Sequence, residues 1–416
     1  MSDKIKIFTI SDHPLSPSGV GTQTRYVIEA MLKTGKYEFV SFGGAIKHDQ
    51  HHPQKTEEWG EQWIIWPVDG YGTQDQVRAM IHQQKPDILW FMTDPRFYRW
   101  LWEIEHEIRA HVPMVYYHVW DNYPYPKFNA PWYNSNDHVA CISKLTHDVV
   151  QNVAPEVDSS YIPHAVDAEI FKPWEPDAIE EYRSARNLDN KFVCFWNNRN
   201  ARRKQSGTLI FWFKEFLDKV GHDKATLIMH TDIKDVHGQD LEAIIHELGL
   251  TNGQVLFSGD KVSSADLAAI YNGVDLTINI SDAEGFGLAT LESLYCGTPI
   301  LVNMTGGLQF QVTDGEKFFG AGLEPAAKAI IGSQEVPYIY EDRLNKDDFV
   351  NALLELYEMG PEARAKLGAE GHEYVNKEFN FDDFIQKWDD LLTHVYETKG
   401  SWDTRAGYKS YEMRTL

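Results

Sequence analysis

The sequence predicts an α/β protein made of two doubly wound units. Strand-like β-branched runs alternate with helix-period patterns through both halves of the chain, which implies βαβ crossovers and parallel sheets. A charged stretch broken by Pro163, Pro173 and Pro176 divides the two runs. At 416 residues, the chain is long enough for two cores of about 200 residues each.

In the first run, residues 4–11 place Ile5, Ile7 and Ile10 in an apolar strand. Further strands are expected over 37–42, 63–68, 88–92, 112–117 and 138–142. Helices are expected over 22–33, 74–84, 95–111 and 143–153. After the junction over 163–190, strands are expected over 192–196, 226–230, 254–258, 274–280 and 299–302. The helices between them fall over 205–220, 240–248 and 264–272, and long amphipathic helices follow over 346–359, 361–376 and 381–396.

Composition excludes several classes. No apolar run approaches the roughly 18 residues of a membrane span. The start, Met1-Ser2-Asp3-Lys4-Ile5, lacks the basic-then-apolar order of a signal peptide. Cys141, Cys194 and Cys296 are far apart in apolar segments, so buried thiols and a cytoplasmic location are expected. Net charge is −23. The first 170 residues hold 14 Lys and Arg against 22 Asp and Glu, and the rest 25 against 40. Neither half has the basic footprint of a nucleic-acid or lipid binder, which disfavours nucleic acid as a partner.

Two glutamates stand with seven residues between them in Glu284-Gly285-Phe286-Gly287-Leu288-Ala289-Thr290-Leu291-Glu292. The strand expected over 274–280 puts Glu284 at its carboxyl end, Gly285 and Gly287 allow a turn with exposed amides, and Gly297-Thr298-Pro299 stops the helix that follows. Such a helix start favours phosphate, and Glu292 lies about one turn into the helix. A plain strand–turn–helix with two solvated glutamates is the competing reading.

Other strand ends carry chemistry too. Gly19 and Gly21, in Ser16-Pro17-Ser18-Gly19-Val20-Gly21, stand just before a helix and suit a phosphate or sugar cradle, or an ordinary loop. His118 closes an apolar run and is either a core histidine or a site residue. Arg199, Arg202, Arg203 and Lys204 precede the first helix of the second half, where a diphosphate would need neutralising; a solvated basic loop is the alternative.

Together these segments resemble the GT-B glycosyltransferases, in particular the large retaining family numbered four. The most specific part runs from Ser281-Asp282-Ala283-Glu284-Gly285-Phe286-Gly287-Leu288 through Glu292 to Cys296-Gly297-Thr298-Pro299. Ile162-Pro163-His164-Ala165-Val166-Asp167 with Phe171 also matches, with His164-Ala165 where the family usually has Asn-Gly. Arg199 and Lys204 match the family's Arg and Lys, but Asn198 and Gln205 replace its flanking glycines.

The resemblance implies two Rossmann-like domains facing a central cleft: 1–165 on the acceptor side, 166–383 binding the nucleotide sugar, and 384–416 crossing back to the first. It implies a retaining, metal-independent, hexosyltransferase-like enzyme with no cofactor, using a UDP- or GDP-sugar as co-substrate. The acceptor is a hydroxyl on a small molecule, a lipid-linked sugar or a polysaccharide. In that reading Glu284 and His118 act on the donor sugar, Glu292 holds the ribose, and Arg199 and Lys204 meet the diphosphate. Gly19, Gly21 and the amides of Gly285, Phe286, Gly287 and Leu288 complete the donor site. The alternatives are transfer to a modified DNA base, a silent nucleotide-sugar-binding protein, and a nucleotide-sugar epimerase.

Overall fold

The computed structural model describes residues 4–48, 52–259 and 261–409. The end of the expected tail, 410–416, lies outside the described residues. The chain divides into two compact units. The first comprises the described residues of Met1–Ala165, Ser333–Val336 and Asp382–Leu416, and the second those of Val166–Gly332 and Pro337–Phe381.

The first unit is built on strands β1 (Ile5–Asp12), β2 (Tyr37–Gly44), β3 (Gln54–Lys55), β4 (Trp63–Pro67), β5 (Ile88–Thr93), β6 (Met114–His118), β7 (His138–Cys141) and β8 (Ser159–Tyr161). They order as β3-β4-β2-β1-β5-β6-β7-β8, parallel except for β3 against β4. Helices cover both faces of such a sheet, so its central strands can be apolar throughout; every residue of β5 and β6 is buried. The strand order reverses between β1 and β5, the switch point where ligands of doubly wound sheets bind.

The helix Phe381–Lys399 completes this unit. Its Trp388 packs edge-on against Trp90 and Tyr117, with ring centroids 5.7 and 4.8 Å away. Asp389 accepts from Tyr37 Oη at 2.6 Å and pairs with Lys36 at 2.5 Å. Beyond the helix, Arg405 donates to the Arg109 carbonyl at 2.8 Å and pairs with Asp137 at 2.6 Å.

The second unit is a six-stranded parallel sheet: β9 (Phe192–Asn197), β10 (Ala225–His230), β11 (Val255–Ser258), β12 (Leu276–Asn279), β13 (Ile300–Asn303) and β14 (Gly320–Leu323). Its order, β11-β10-β9-β12-β13-β14, is that of a Rossmann fold, with the switch point between β9 and β12. Trp196, Phe213, Phe216, Leu227, Ile278 and Leu353 lie in its core. An antiparallel hairpin, β15 (Ala327–Ile331) with β16 (Ile339–Arg343), follows. The three cysteines are free and buried. No helix among the described residues is long and apolar enough to cross a membrane.

Two expectations need correction. The helix expected over 95–111 is three short pieces, Pro95–Phe97, Arg99–Trp102 and Glu105–Arg109. The break falls at Tyr98, whose buried hydroxyl donates to the carbonyls of Ile10 and Met92 at 2.8 and 2.9 Å. These tertiary bonds override local propensity. Strands β3, β8, β14, β15 and β16 were not expected at all. In β14, Gly-Ala-Gly-Leu carries no β-branched signal, and Gly320 is required because a Cβ would lie 1.8 Å from the Ile300 carbonyl oxygen.

Candidate active site

In the second unit the loops after β9 and β12 carry the expected residues. After β12 the chain runs through Ser281–Gly287 into the helix Leu288–Tyr295. Gly287, not Gly285, holds the left-handed conformation, at φ +94°. A Cβ there would meet Leu308 Cδ2 at 2.5 Å.

The carbonyls of this turn are tied down by a segment that the sequence reading missed. Gly307 N–H donates to the Glu284 carbonyl at 3.0 Å, and Gln311 Nε2 to the Phe286 and Gly287 carbonyls at 2.8 and 3.1 Å. In a trans peptide the next N–H points opposite the C=O. The amides of Gly285, Gly287 and Leu288 therefore face away from that segment, and no side chain caps the helix. Aligned amides at a helix start form an anion cradle. The Gly306-Gly307 pair, directly after a strand, was the available signal.

Glu284 forms an ion pair with Lys204, both largely enclosed, with side chains 14% and 9% exposed. Burial alone would raise the Glu284 pKa, but Lys204 and Arg203 outweigh it and hold the carboxyl below its usual range. Glu284 is thus an anion at neutral pH. Lys204 ends a short 3-10 turn, Arg202–Lys204, and Gln205 then sits at φ +59°, ψ 34° before the helix Ser206–Val220. Gln205 adopts the left-handed conformation that a glycine adopts without strain. The cost is roughly 1–2 kcal/mol, offset where its amide donates to Asp282 at 2.5 Å and accepts from Thr208 Oγ1 at 2.6 Å.

The four cations do not act as one cluster. Arg199, 61% exposed, lies bidentate on Asp235 at 2.6 and 3.1 Å. Arg202 forks onto Glu341 of β16, and Arg203 donates to the Ala283 carbonyl at 2.8 Å. Arg343 of β16 reaches Asp282 at 2.9 Å and Glu341 at 2.7 Å. The base of the β15–β16 hairpin is thereby welded to both site loops.

Glu292 is not a solvated acid. Burial raises its pKa to about 7, against the hydrogen bond it accepts from Tyr271 Oη at 2.8 Å. Tyr271 in turn accepts from Asn197 Nδ2, at the end of β9, at 2.9 Å.

In the first unit His118 closes β6, fully buried. It is held by a side chain and not by backbone. Asn129 Nδ2 donates to Tyr133 Oη at 3.2 Å, and Tyr133 Oη lies 3.0 Å from His118 Nε2. With Tyr133 donating onward, Nε2 accepts and Nδ1 carries the proton. Nδ1 has no partner among the described residues. Burial lowers the His118 pKa to about 3, so the ring is a neutral N–H donor at physiological pH.

The glycine loop after β1 is more self-contained than expected. Gly19 opens the helix Gly19–Lys33, but the Gly21 amide is taken by the N-cap Ser18 Oγ at 2.9 Å. Ser18 also donates to Asp12 at 2.6 Å. Gly21 is a packing glycine: a Cβ would stand 2.6 Å from the His13 carbonyl oxygen.

Residues 179–374 match the family described as Glycosyl transferases group 1, a span covering most of the second unit. The chain has the GT-B fold. It is 23% identical over 227 residues to a trehalose synthase of Pyrococcus horikoshii, a match covering 54% of this chain and 42% of that protein. The matches to the first curated relatives span only 38–57% of their lengths. Sucrose-phosphate synthase from Thermosynechococcus elongatus superimposes with a TM-score of 0.75 at 17% identity, covering 95% of this chain and 100% of that one. Anabaena HepE, solved with UDP and glucose, gives 0.68 at 17% identity, covering 94% and 100%.

Proposed function

We propose that the protein transfers a sugar from a nucleoside diphosphate sugar to a hydroxyl acceptor with retention of anomeric configuration. The observation that carries this reading is the enclosed Lys204–Glu284 pair beside an uncapped helix start at the switch point of the second sheet. Breaking a sugar–phosphate bond builds negative charge on the departing diphosphate and positive charge on the sugar ring. The amides of Gly285, Gly287 and Leu288 with Lys204 suit the first, and the ionised Glu284 suits the second. Arg199 leaves Asp235 to join the diphosphate. Glu292 takes the ribose hydroxyls, and His118 Nδ1–H donates to a sugar hydroxyl.

UDP is the proposed sugar carrier, in line with HepE, which was solved with UDP and glucose. The acceptor is a small molecule, lipid-linked sugar or polysaccharide; a net charge of −23 gives no support to transfer onto DNA. In this reading Lys204 and the amide dipoles neutralise the leaving group in place of a metal ion, so transfer should persist in excess EDTA. The test is nucleoside diphosphate release from UDP- and GDP-sugars with candidate acceptors, followed by NMR of the product. An α-linked product from an α-donor supports the reading. A β-linked product, or release of no diphosphate from any donor, overturns it.

A further inference from the structure

A cavity of about 630 Å³ opens at the other edge of the second sheet. Its lining includes Phe192, which begins β9, and Asp275 and Pro299, which precede β12 and β13. A six-residue strand such as β9 spans roughly 17 Å at about 3.3 Å per residue, so the strand ends leading to Lys204 and Glu284 lie about that far away. The volume falls within the roughly 300–1,000 Å³ of small-molecule sites.

The charge of the lining is unbalanced. Arg183, Lys191 and Arg364 face a single carboxylate, Asp275. Asp275 is shared by both arginines, Arg183 at 3.0 Å and Arg364 at 3.2 Å. Lys191 makes a long contact, 3.4 Å, to Thr226 Oγ1 and acts through space on Asp223, which is not part of the lining. The lining thus carries two more positive than negative charges, in a chain whose net charge is −23. Arg364 is 7% exposed and stacks over the Phe192 ring, 4.7 Å from its centroid. Its Nε–H is buried without an acceptor among the described residues. A buried donor left unmade is costly, and an incoming oxyanion would satisfy it.

We propose that this cavity binds a small phosphorylated molecule, its oxyanion held by Lys191 and the Arg364 Nε–H. The site is separate from the Lys204–Glu284 loops and does not depend on the transferase reading. Inorganic phosphate is the probe, titrated at constant ionic strength and read by calorimetry and by melting temperature. Phosphate should stabilise the wild type and Lys204→Ala alike. Lys191→Ala should weaken binding roughly tenfold, as loss of one charge-assisted contact implies. Ala365→Trp, which fills the cavity from an exposed helical position and removes no charge, should abolish it. Binding that survives Lys191→Ala and Ala365→Trp but is lost in Lys204→Ala would move the anion to the other edge and overturn the proposal. So would a wild type that takes up no phosphate.

Discussion

Lys204 and Glu284, 80 residues apart in sequence, meet as an enclosed ion pair. Each group therefore sets the charge state and position of the other before any ligand arrives. Removing one partner leaves the other buried and uncompensated, at about 3 kcal/mol or more. Lys204→Ala should lower the melting temperature and also weaken nucleoside diphosphate binding. Glu284→Gln should cut turnover at least a hundredfold while leaving that affinity unchanged or tighter, because Lys204 is freed for phosphate. Calorimetry with bare UDP, alongside turnover, separates the two; equal loss of affinity in both variants would show that they share one role.

Glu292 makes stability and binding depend on pH. Its folded pKa of about 7 exceeds the ordinary 4.5, so the folded state keeps a proton that the unfolded state has lost. The resulting stabilisation is fully present below about 4.5 and is lost as pH rises through 7. Glu292→Gln should melt higher than the wild type at pH 8, with the gain vanishing in acid. Nucleotide affinity of the wild type should climb across pH 7 as Glu292 ionises, and the variant should show no such rise. A melting difference independent of pH would contradict this.

Glu341 is buried at the hairpin base and carries Arg202 and Arg343. Glu341→Ala should cost about 2 kcal/mol and loosen both site loops. The expected result is a lower melting temperature together with a raised KM for the donor. A KM that stays at the wild-type value would leave the hairpin a purely structural element.

Gly306 and Gly315 form a matched pair, both left-handed, at φ +51° and +98°. A Cβ on Gly306 would lie 1.7 Å from the Glu284 carbonyl oxygen, whereas one on Gly315 meets nothing within 4 Å. Gly315→Ala should cost about 1 kcal/mol from backbone strain alone. Gly306→Ala should cost at least about 3 kcal/mol more and abolish nucleotide binding, because the 284–287 turn must move. Denaturant melts of the two variants give the comparison.

The regular alternation of the sheets was legible because buried parallel strands are written as continuous apolar runs, as in Ile-Leu-Trp-Phe-Met-Thr of β5. The residue types at strand ends were legible too: Lys204, Glu284 and His118 stand where runs stop. What was hidden is pairing. Nothing local tells that Arg202 turns to Glu341 while Lys204 turns to Glu284, since both partners come from segments far along the chain. Tyr98 hid a helix break for the same reason: its hydroxyl answers to carbonyls on β1 and β5. Gln205 shows the limit of reading by residue type, since a left-handed position need not be glycine when side-chain bonds hold it.

The helix Phe381–Lys399 has a consequence for how the protein is made. Trp388 is fully buried against Trp90 and Tyr117, so the first unit lacks part of its interior until the last stretch of chain exists. During synthesis the second unit has all its strands before the first can close. A fragment ending at Ala165 would present those aromatic rings to water and to other chains. Stopping the chain before Phe381 should therefore cripple the beginning of the protein more than its middle, and adding residues 381–409 back as a separate peptide should restore it.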